Sequence, residues 1–163
     1  MKSITLPLSG DVRSMLKPHE LVLLSGIIYS ARDMAHARLA ALIKEGKPLP
    51  IPLEGQAIYY MGPSPTPPGK VAGSAGPTTS SRMDKNTPIL LEKGLKVMIG
   101  KGARSEAVQK AIAMHGAVYL GAIGGAGAYL SQCITSMKCV AFEDLGPEAI
   151  YELTVKDFPA FVI

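Results

Sequence analysis

The sequence lacks the features that define several large classes of protein. It has no Trp, only 6% aromatic residues and two Cys among 163 residues. Two cysteines exclude a disulfide scaffold, and they are too few for a cysteine-only zinc or iron–sulfur site. No run approaches the roughly 18 uncharged apolar residues of a membrane helix, and the N-terminal segment turns polar too early for a secretory signal. We therefore expect a cytoplasmic protein without a membrane-spanning segment.

Composition and charge narrow the choice further. The chain is 47% hydrophobic and 18% charged, which excludes a disordered chain, a collagen and a coiled coil. Its length suits one domain, residues 1–163. Lys and Arg outnumber Asp and Glu by 17 to 13, but they are dispersed rather than gathered in a basic stripe, so nucleic acid is not an expected partner. The small excess of cations suits an anionic small substrate or an acidic partner.

Apolar runs and helical segments alternate along the chain in the way that an α/β or mixed α+β fold requires. Asp33 and Ser105 are the expected helix N-caps, and Gly46 and Gly116 are the expected helix ends. Helices are predicted at 33–45, in a segment that ends near 93, at 105–116 and at 128–134. Strands are predicted at 21–31, 56–61, 96–100, 117–123 and 138–143, followed by an extended tail at 152–163.

Residues 62–77 interrupt this pattern with five Pro and four Gly. A linker between domains has such a composition, and so does an ordered functional loop. The segment leads directly into four consecutive hydroxyl residues, Thr78 to Ser81, at a predicted helix start. Backbone N–H groups at a helix N-terminus favour an anion, and Arg82 would lie one helical turn after Thr78. The sequence therefore predicts an anion site here, with a polar helix cap and a solvated Arg82 as the alternative.

A second cluster follows the predicted strand 21–31. Arg32 stands at the carboxyl end of this strand, where α/β folds often place ligand-binding groups, and His36 follows one helical turn later. The guanidinium of Arg32 offers a fork for a carboxylate, and the His36 imidazole can move a proton near neutral pH. In the alternative interpretation, Arg32 pairs with Asp33 and His36 is a packed core histidine.

A third cluster is a lysine between two glycines. Gly100, Lys101 and Gly102 follow the predicted strand 96–100. Glycines let the backbone approach a ligand closely, and the ammonium supplies a point charge for an anion. A charged turn without a ligand is the alternative, and for this cluster alone it is the simpler one.

Two further patterns favour structural rather than chemical roles. The glycines of 121–127 do not have the G-x-G-x-x-G spacing of a dinucleotide-binding loop, so we expect a tight strand-to-helix turn with close packing. Cys133 and Cys139 have no set of partners for a metal site, and we expect them to be small buried side chains.

Taken together, these segments resemble a known family. The stretches SAGPTTSSRMD (74–84), IGKGARS (99–105), ARDMAHARL (31–39) and YYMGPSPTPPGKV (59–71) are similar to the β subunit, or C-terminal domain, of the iron–sulfur-dependent hydro-lyases, class I fumarase and L(+)-tartrate dehydratase. The resemblance runs from about residue 5 to the end of the chain. It implies a swivelling β/β/α domain with three layers, mixed sheets and helices on one side.

The resemblance also implies an activity. The family removes water reversibly from a 2-hydroxy dicarboxylate, converting malate to fumarate or carrying out the equivalent reaction on tartrate. A separate α subunit would hold a [4Fe–4S] cluster whose open iron acts as a Lewis acid on the substrate hydroxyl, and this chain would bind no cofactor or metal. We expect the α subunit and a small dicarboxylate as partners, with self-association of the isolated chain left open.

The family's functional residues map onto the clusters described above. The first Thr of the pair, Thr78, is the expected base, and His36 is kept as a second candidate because a hydroxyl is a poor base at its ordinary pKa. Residues 62–77 then form a loop that positions Thr78. The remaining expected site residues are, for substrate binding, Arg32, Arg82, Lys101, Thr79 and Ser80 and, in support, Asp33, Gly76, Gly100 and Gly102.

Three functional hypotheses follow. The first is the β subunit of a hydro-lyase, with fumarate favoured over tartrate from the likeness of the TTSSRMD and PSPTPPG segments. The second is a non-catalytic partner protein that binds dicarboxylates through the same cationic loop. The third is a nucleotide-binding module that uses the glycines of 121–127.

Overall fold

The computed structural model describes residues 2–8, 13–122 and 127–163 of the chain. The strands are β1 (Lys2–Leu6), β2 (Leu21–Ser30), β3 (Ala57–Tyr59), β4 (Val97–Gly100), β5 (Val118–Gly121), β6 (Ile134–Ala141) and β7 (Ile150–Val162). The α-helices are α1 (Asp33–Lys44), α2 (Thr87–Glu92), α3 (Glu106–Met114) and α4 (Gly127–Gln132). Short 3-10 turns lie at Arg13–Met15, Ser80–Met83 and Glu143–Glu148. No helix in these described ranges is both long enough and apolar enough to cross a membrane.

The seven strands form one mixed sheet in the order β1-β2-β3-β4-β5-β7-β6. Strands β1 to β5 pair with one another in parallel, whereas β7 is antiparallel to β2, β5 and β6. The long strand β7 pairs with β2 along one edge and with β6 and then β5 along the other. These pairings close a ring of β2, β3, β4, β5 and β7, which folds the sheet back over itself.

Two hydrophobic clusters occupy the two faces of the parallel strands. Side chains alternate along a strand, so Tyr59 faces the first cluster while Ile58 and Tyr60 face the second. In the first cluster the Tyr59 ring meets the Phe158 ring of β7 edge to face, with centroids 5.2 Å apart. The second cluster lies between the parallel strands and helices α1, α2 and α3. This confirms the expected mixed α+β fold, with two differences: the seven strands form one sheet rather than several, and α4 contributes Leu130 to the first cluster rather than joining the other helices.

Local signals place most helix boundaries correctly. Ser105 caps α3 by accepting a hydrogen bond from the Val108 amide at 3.2 Å, and Gly116 ends that helix with a φ of 63°. Gly46 likewise follows α1 with a φ of 67°. The prediction for Asp33 is wrong: Arg32 is the N-cap residue of α1, and its side chain forms no capping hydrogen bond. The Met34 amide in the first turn donates instead to Glu148 Oε1 at 3.4 Å.

The predicted helix that ends near 93 is also corrected. A 3-10 turn covers Ser80–Met83, and α2 begins only at Thr87, with Pro88 in its first turn. The segment before Ser80 is extended because its amides are used in pairing with the ends of neighbouring strands. The expectation of an anion held by a helix N-terminus at Thr78 therefore has no structural basis.

The parallel strands end together at one edge of the sheet. The chain just beyond β2 stays paired there, since the Ala31 amide donates to the Tyr59 carbonyl at 3.1 Å. The chain just beyond β3 does the same, since the Tyr60 amide donates to the Ile99 carbonyl at 2.9 Å. Because parallel strands place their carboxyl ends on one side, the segments that follow β2, β3 and β4 emerge next to one another.

Candidate active site

The proline-rich segment is an ordered loop that leaves β3 and returns to it. The Ser64 amide donates to the Ser74 carbonyl at 3.1 Å, which closes the loop across its neck. The Thr78 amide then donates to the Tyr60 carbonyl at 2.7 Å. The loop thus delivers Thr78 to the end of β3, in agreement with the prediction that residues 62–77 position this threonine rather than link two domains.

The hydroxyl segment runs directly alongside the glycine–lysine–glycine turn. Thr79 forms an isolated parallel β-bridge with Lys101, and the Ser80 amide donates to the Lys101 carbonyl at 2.9 Å. Thr78 is half-buried, whereas Thr79 and Lys101 are exposed. Two predicted clusters that are some twenty residues apart in sequence are therefore joined through their backbones.

Arg82 connects this pair of segments to the beginning of α1. Its Nε lies 3.0 Å and its Nη2 2.9 Å from the same oxygen, Oδ2, of Asp33. The other oxygen, Oδ1, is buried and has no hydrogen-bond partner among the described residues. Asp33 therefore pairs with Arg82, and the alternative pairing of Asp33 with Arg32 is not formed; the supporting role of Asp33 stays a prediction.

Arg32 enters the same region from the end of β2. A Cβ atom at Gly62 would lie 2.8 Å from both Cδ and Nη1 of Arg32, so this glycine makes room for the arginine side chain. The Nε of Arg32 is buried and meets no hydrogen-bond partner among the described residues. Gly62 belongs to the proline-rich loop, and this contact is a second way in which the loop shapes the site.

His36 lies behind Arg32 rather than beside the other site residues. It is 1% exposed, and its Nδ1 donates to the Arg32 carbonyl at 2.8 Å. Burial, with a smaller contribution from the positive charge of Arg104, lowers the pKa of His36 to about 4, against the opposing effects of the Arg32 carbonyl and Asp33. A neutral, enclosed imidazole that packs edge-on against the Tyr60 ring favours the packed-core interpretation over a proton carrier.

Ser80 does not present its hydroxyl to the site. Its relative exposure is 0%, and its Oγ lies 2.6 Å from the hydroxyl of Tyr119, which is also 2.7 Å from the Gly102 carbonyl. The expectation that Ser80 binds substrate is therefore corrected, because its hydroxyl is enclosed and already hydrogen-bonded. Of the four consecutive hydroxyl residues, Thr78 and Thr79 remain the candidates for contact with a ligand.

The glycines predicted as supporting residues act for reasons other than those expected. A Cβ at Gly100 would come within 2.1 Å of Ser80 Oγ, so Gly100 makes room for protein rather than for a ligand. Gly102 has a φ of 85°, the left-handed conformation that favours glycine. Gly76 packs against Gly127, where a Cβ would lie 2.9 Å from the Gly76 nitrogen. Close packing by the glycines of 121–127 is thus seen at Gly127, while the predicted turn at 124–127 lies largely outside the described residues.

A buried ion pair beneath the site was not predicted from the sequence. Arg104 Nε donates to Asp84 Oδ1 at 2.7 Å, and Asp84 Oδ2 accepts the Ser105 amide at 2.7 Å. The Arg104 guanidinium lies 5.1 Å from the Tyr60 ring centroid and 4.9 Å from that of Tyr119. The sequence contains one indication of this ion pair: Asp84 ends the SSRMD segment, and Arg104 lies in the IGKGARS segment. The ion pair therefore joins these two segments.

Neither thiol lies on the segments that carry the candidate site residues. Cys133 is half-buried beyond α4, and Cys139 is exposed in β6, so the expectation that both are buried is wrong for Cys139. Burial, assisted by Asp157, raises the pKa of the Cys133 thiol. Within residues 2–8, 13–122 and 127–163, no three His, Cys, Asp or Glu side chains lie close enough to hold a metal ion.

The resulting arrangement is suited to a small acid with more than one carboxylate. Three cationic side chains come from different segments that meet at the carboxyl edge of the sheet: Arg32, Arg82 and Lys101. Thr78 lies on the same segment as Arg82, next to the end of β3. Asp33 offsets part of the charge of Arg82, whereas no described residue forms an ion pair with Lys101. The excess of positive charge favours a ligand that brings two negative charges.

Comparison with known proteins agrees with this arrangement. Residues 4–163 match the family model described as "Fumarase C-terminus". The chain belongs to the fumarase C-terminus family. The chain is similar to "Fumarate hydratase class I, anaerobic" of Escherichia coli, with 47% identity over 142 residues, and to "Fumarate hydratase 2" of Leishmania major, with 42% identity over 144 residues. The "Putative L(+)-tartrate dehydratase subunit beta" of Methanocaldococcus jannaschii is 35% identical over 158 residues.

The matched lengths distinguish two kinds of relative. The alignment covers 86% of this chain but 26% of the Escherichia coli protein, and 87% of this chain but 25% of the Leishmania protein. It covers 94% of this chain and 80% of the Methanocaldococcus protein. The chain therefore spans about a quarter of the fumarate hydratases that it matches, and most of a relative named as a β subunit.

Proposed function

We propose that this fumarase C-terminus chain is the substrate-binding part of an iron–sulfur-dependent hydro-lyase that interconverts fumarate and L-malate. The observation that carries the proposal is the meeting of Arg32, Thr78, Arg82 and Lys101 at one edge of the parallel strands. A scattered arrangement of these residues over unrelated faces would have contradicted it. Identities of 42% and 47% to proteins named fumarate hydratase support the choice of reaction.

In this proposal the three cations grip the two carboxylates of the substrate. The planar guanidinium groups of Arg32 and Arg82 suit bidentate contact with a carboxylate, and Asp33 fixes the direction of Arg82. Lys101 adds a compact point charge on the opposite segment. Positive groups held in place before the reaction also stabilise the negative charge that develops when a proton leaves the carbon next to a carboxylate.

Thr78 is the proposed proton-transfer group of this chain. In the dehydration direction, its ionised side-chain oxygen takes the proton from C3 and becomes a hydroxyl, the electrons of the C3–H bond form the C2–C3 double bond, and the C2–O bond breaks to release hydroxide. Thr78 then returns the proton to solvent, and this proton and the released hydroxide together make up the water lost from the substrate. A threonine oxygen serves as a base only where surrounding cations lower its pKa, which Arg82 and Lys101 on the adjoining segments favour. His36 instead holds the Arg32 carbonyl.

The proposal assigns the [4Fe–4S] cluster to an α subunit or preceding domain. The described residues of this chain do not fit such a cluster. The two thiols of the chain lie on different elements, beyond α4 and in β6, and no three His, Cys, Asp or Glu side chains among those residues lie close enough to bind a metal. The side chains of this chain therefore account for substrate binding and proton transfer alone. The coverage of about a quarter of the fumarate hydratases leaves room for a partner, and free thiols suit a reducing cytoplasm.

Anaerobic co-expression with a candidate α subunit tests the proposal. The complex should hydrate fumarate in an absorbance assay, and Thr78→Ala and Arg82→Ala should lower kcat/KM by about 100-fold or more while the complex still assembles. Arg38→Ala is the matched control, because Arg38 pairs with Asp144 on the outer side of α1. Absence of fumarate turnover by the wild-type complex, or unchanged turnover by Arg82→Ala, would contradict the proposal.

Tartrate is the second candidate substrate. The relative named as a tartrate dehydratase β subunit matches this chain over most of both lengths, whereas the fumarate hydratases are more identical over a smaller part of theirs. Parallel assays with fumarate, L(+)-tartrate and mesaconate rank the three acids by kcat/KM. Dicarboxylate binding without turnover of any of them would instead identify a non-catalytic binding partner.

A further inference from the structure

Lys101 lies on a short turn that is paired on one side with the hydroxyl segment through its bridge to Thr79. The turn leaves β4 at Gly100 and continues through Gly102, whose φ of 85° has no side chain to stiffen it. The Lys101 carbonyl accepts the Ser80 amide at 2.9 Å. The contacts on the other side of the turn, at Gly102, therefore also determine how precisely the Lys101 ammonium is positioned.

The far side is held by a buried phenol from the neighbouring strand. Tyr119 pairs with Met98 in the β4–β5 register, and its ring is 5% exposed. Its hydroxyl lies 2.7 Å from the Gly102 carbonyl and 2.6 Å from Ser80 Oγ. A phenol has one proton and a carbonyl oxygen only accepts, so Tyr119 donates to Gly102 while the Ser80 hydroxyl donates to Tyr119.

The ring of Tyr119 cannot turn away easily. The Arg104 guanidinium lies 4.9 Å from its centroid, and that guanidinium is itself fixed by Asp84 at 2.7 Å. The Tyr119 hydroxyl is thus held in place and hydrogen-bonds to both segments of the site. It contacts the hydroxyl segment at Ser80 and the lysine turn at Gly102. These two hydrogen bonds connect Ser80, which follows Thr78 and Thr79, to Gly102, which follows Lys101.

We propose that Tyr119 is a positioning residue for the Lys101 ammonium, acting through its hydrogen bond to the Gly102 carbonyl. The inference rests on the proposed function, in which Lys101 binds a carboxylate of the dicarboxylate substrate. Tyr119→Phe removes one oxygen and leaves the ring in contact with the Arg104 guanidinium. The Gly102 carbonyl then loses its partner within the chain, and the turn that carries Lys101 gains freedom.

Hydrogen exchange measures this tether directly. In Tyr119→Phe, the Ser80 amide should exchange faster, because its acceptor is the Lys101 carbonyl on the loosened turn. The Tyr60 amide, which donates to the Ile99 carbonyl within the sheet, should exchange as in the wild type. If the Ser80 amide exchanges at the same rate in both proteins, the hydrogen bond from Tyr119 to the Gly102 carbonyl does not restrain the turn. This result would overturn the inference whatever the enzyme kinetics show.

Kinetics of the assembled complex measure positioning. Because Lys101 binds a carboxylate in the proposed function and also helps to lower the pKa of Thr78, Tyr119→Phe should raise KM for fumarate by about tenfold and lower kcat as well. A loss of folded protein would lower kcat at constant KM instead, so that result, or wild-type values for both, would overturn the inference. Tyr129→Phe, which removes the same atom from an exposed tyrosine of α4, is the control.

The two proposals fail in different ways. A wild-type complex without turnover of any dicarboxylate overturns the proposed function, and the positioning role of Tyr119 falls with it. An active wild-type complex with a Tyr119→Phe variant of equal KM overturns the positioning role alone.

Discussion

Replacing Asp84 by Ala tests how strongly the two halves of the site are held together. The carboxylate accepts from Arg104 Nε and from the Ser105 amide, each at 2.7 Å, and so joins the turn Ser80–Met83 to the start of α3. The Arg104 side chain is 2% exposed and that of Asp84 13% exposed. Removing the carboxylate leaves a guanidinium enclosed with one hydroxyl partner, Thr87, and two aromatic rings.

The expected magnitude follows from this burial. Breaking a buried ion pair by deleting one partner costs about 3–5 kcal/mol, because the remaining charge has lost its counterion and cannot reach water. With a urea m-value of about 2 kcal/mol per molar, the midpoint of unfolding should fall by about 2 M. The aromatic rings soften this loss only in part, since a cation–π contact contributes about 1–2 kcal/mol and is already present in the wild type.

Urea unfolding followed by circular dichroism measures the effect. Asp144→Ala is the matched control, since Asp144 pairs with Arg38 at 2.6 Å but both side chains are well exposed, and its midpoint should stay close to that of the wild type. The double variant Asp84→Ala, Arg104→Met should be more stable than Asp84→Ala alone, because it removes the uncompensated charge. Equal midpoints for Asp84→Ala and Asp144→Ala would refute the reasoning.

Two further predictions concern Arg32 and its surroundings. Gly62→Ala places a methyl group 2.8 Å from Arg32 Cδ, so it should raise KM for the dicarboxylate in the complex while the circular dichroism spectrum is retained; an unchanged KM would contradict this. His36 has a pKa of about 4 in the folded chain against 6.5 ordinarily, so the unfolded chain binds its proton first as pH falls. Stability should therefore decrease from pH 6.5 towards pH 4, by up to about 3 kcal/mol from this group. The urea midpoint should fall between pH 7 and pH 5 in the wild type and fall less in His36→Gln, and parallel falls would count against a buried neutral imidazole.

Much of the fold could be predicted because its signals are local. Ser105 and Gly116 bound α3 through interactions within a few residues of the chain, and Gly46 ends α1 in the same way. The segment after Gly76 is misassigned from sequence because its hydroxyl residues have the composition of a helix start. Their amides instead pair with the Tyr60 and Lys101 carbonyls, and such partners are distant in sequence.

The residues of the candidate site likewise fall into two groups, those that the sequence identifies and those that only the structure identifies. The charged and hydroxyl residues Arg32, Thr78, Arg82 and Lys101 stand out in the sequence by type and by their resemblance to the family. The roles of Ser80, Tyr119 and Arg104 could not be found that way, because each depends on what encloses the side chain. Ser80 resembles its neighbours in sequence and differs from them only in being buried beneath Tyr119.

The sequence by itself determined which chemical groups are available, where most helices and strands begin and end, and the family to which the chain belongs. These properties depend on residue type and on near neighbours along the chain. Only the tertiary structure decided that the groups meet at one edge of the sheet, that His36 is enclosed and neutral, and that a phenol fastens the lysine turn. Those outcomes depend on pairing between distant strands and on exclusion of water, which arise only when the chain has folded.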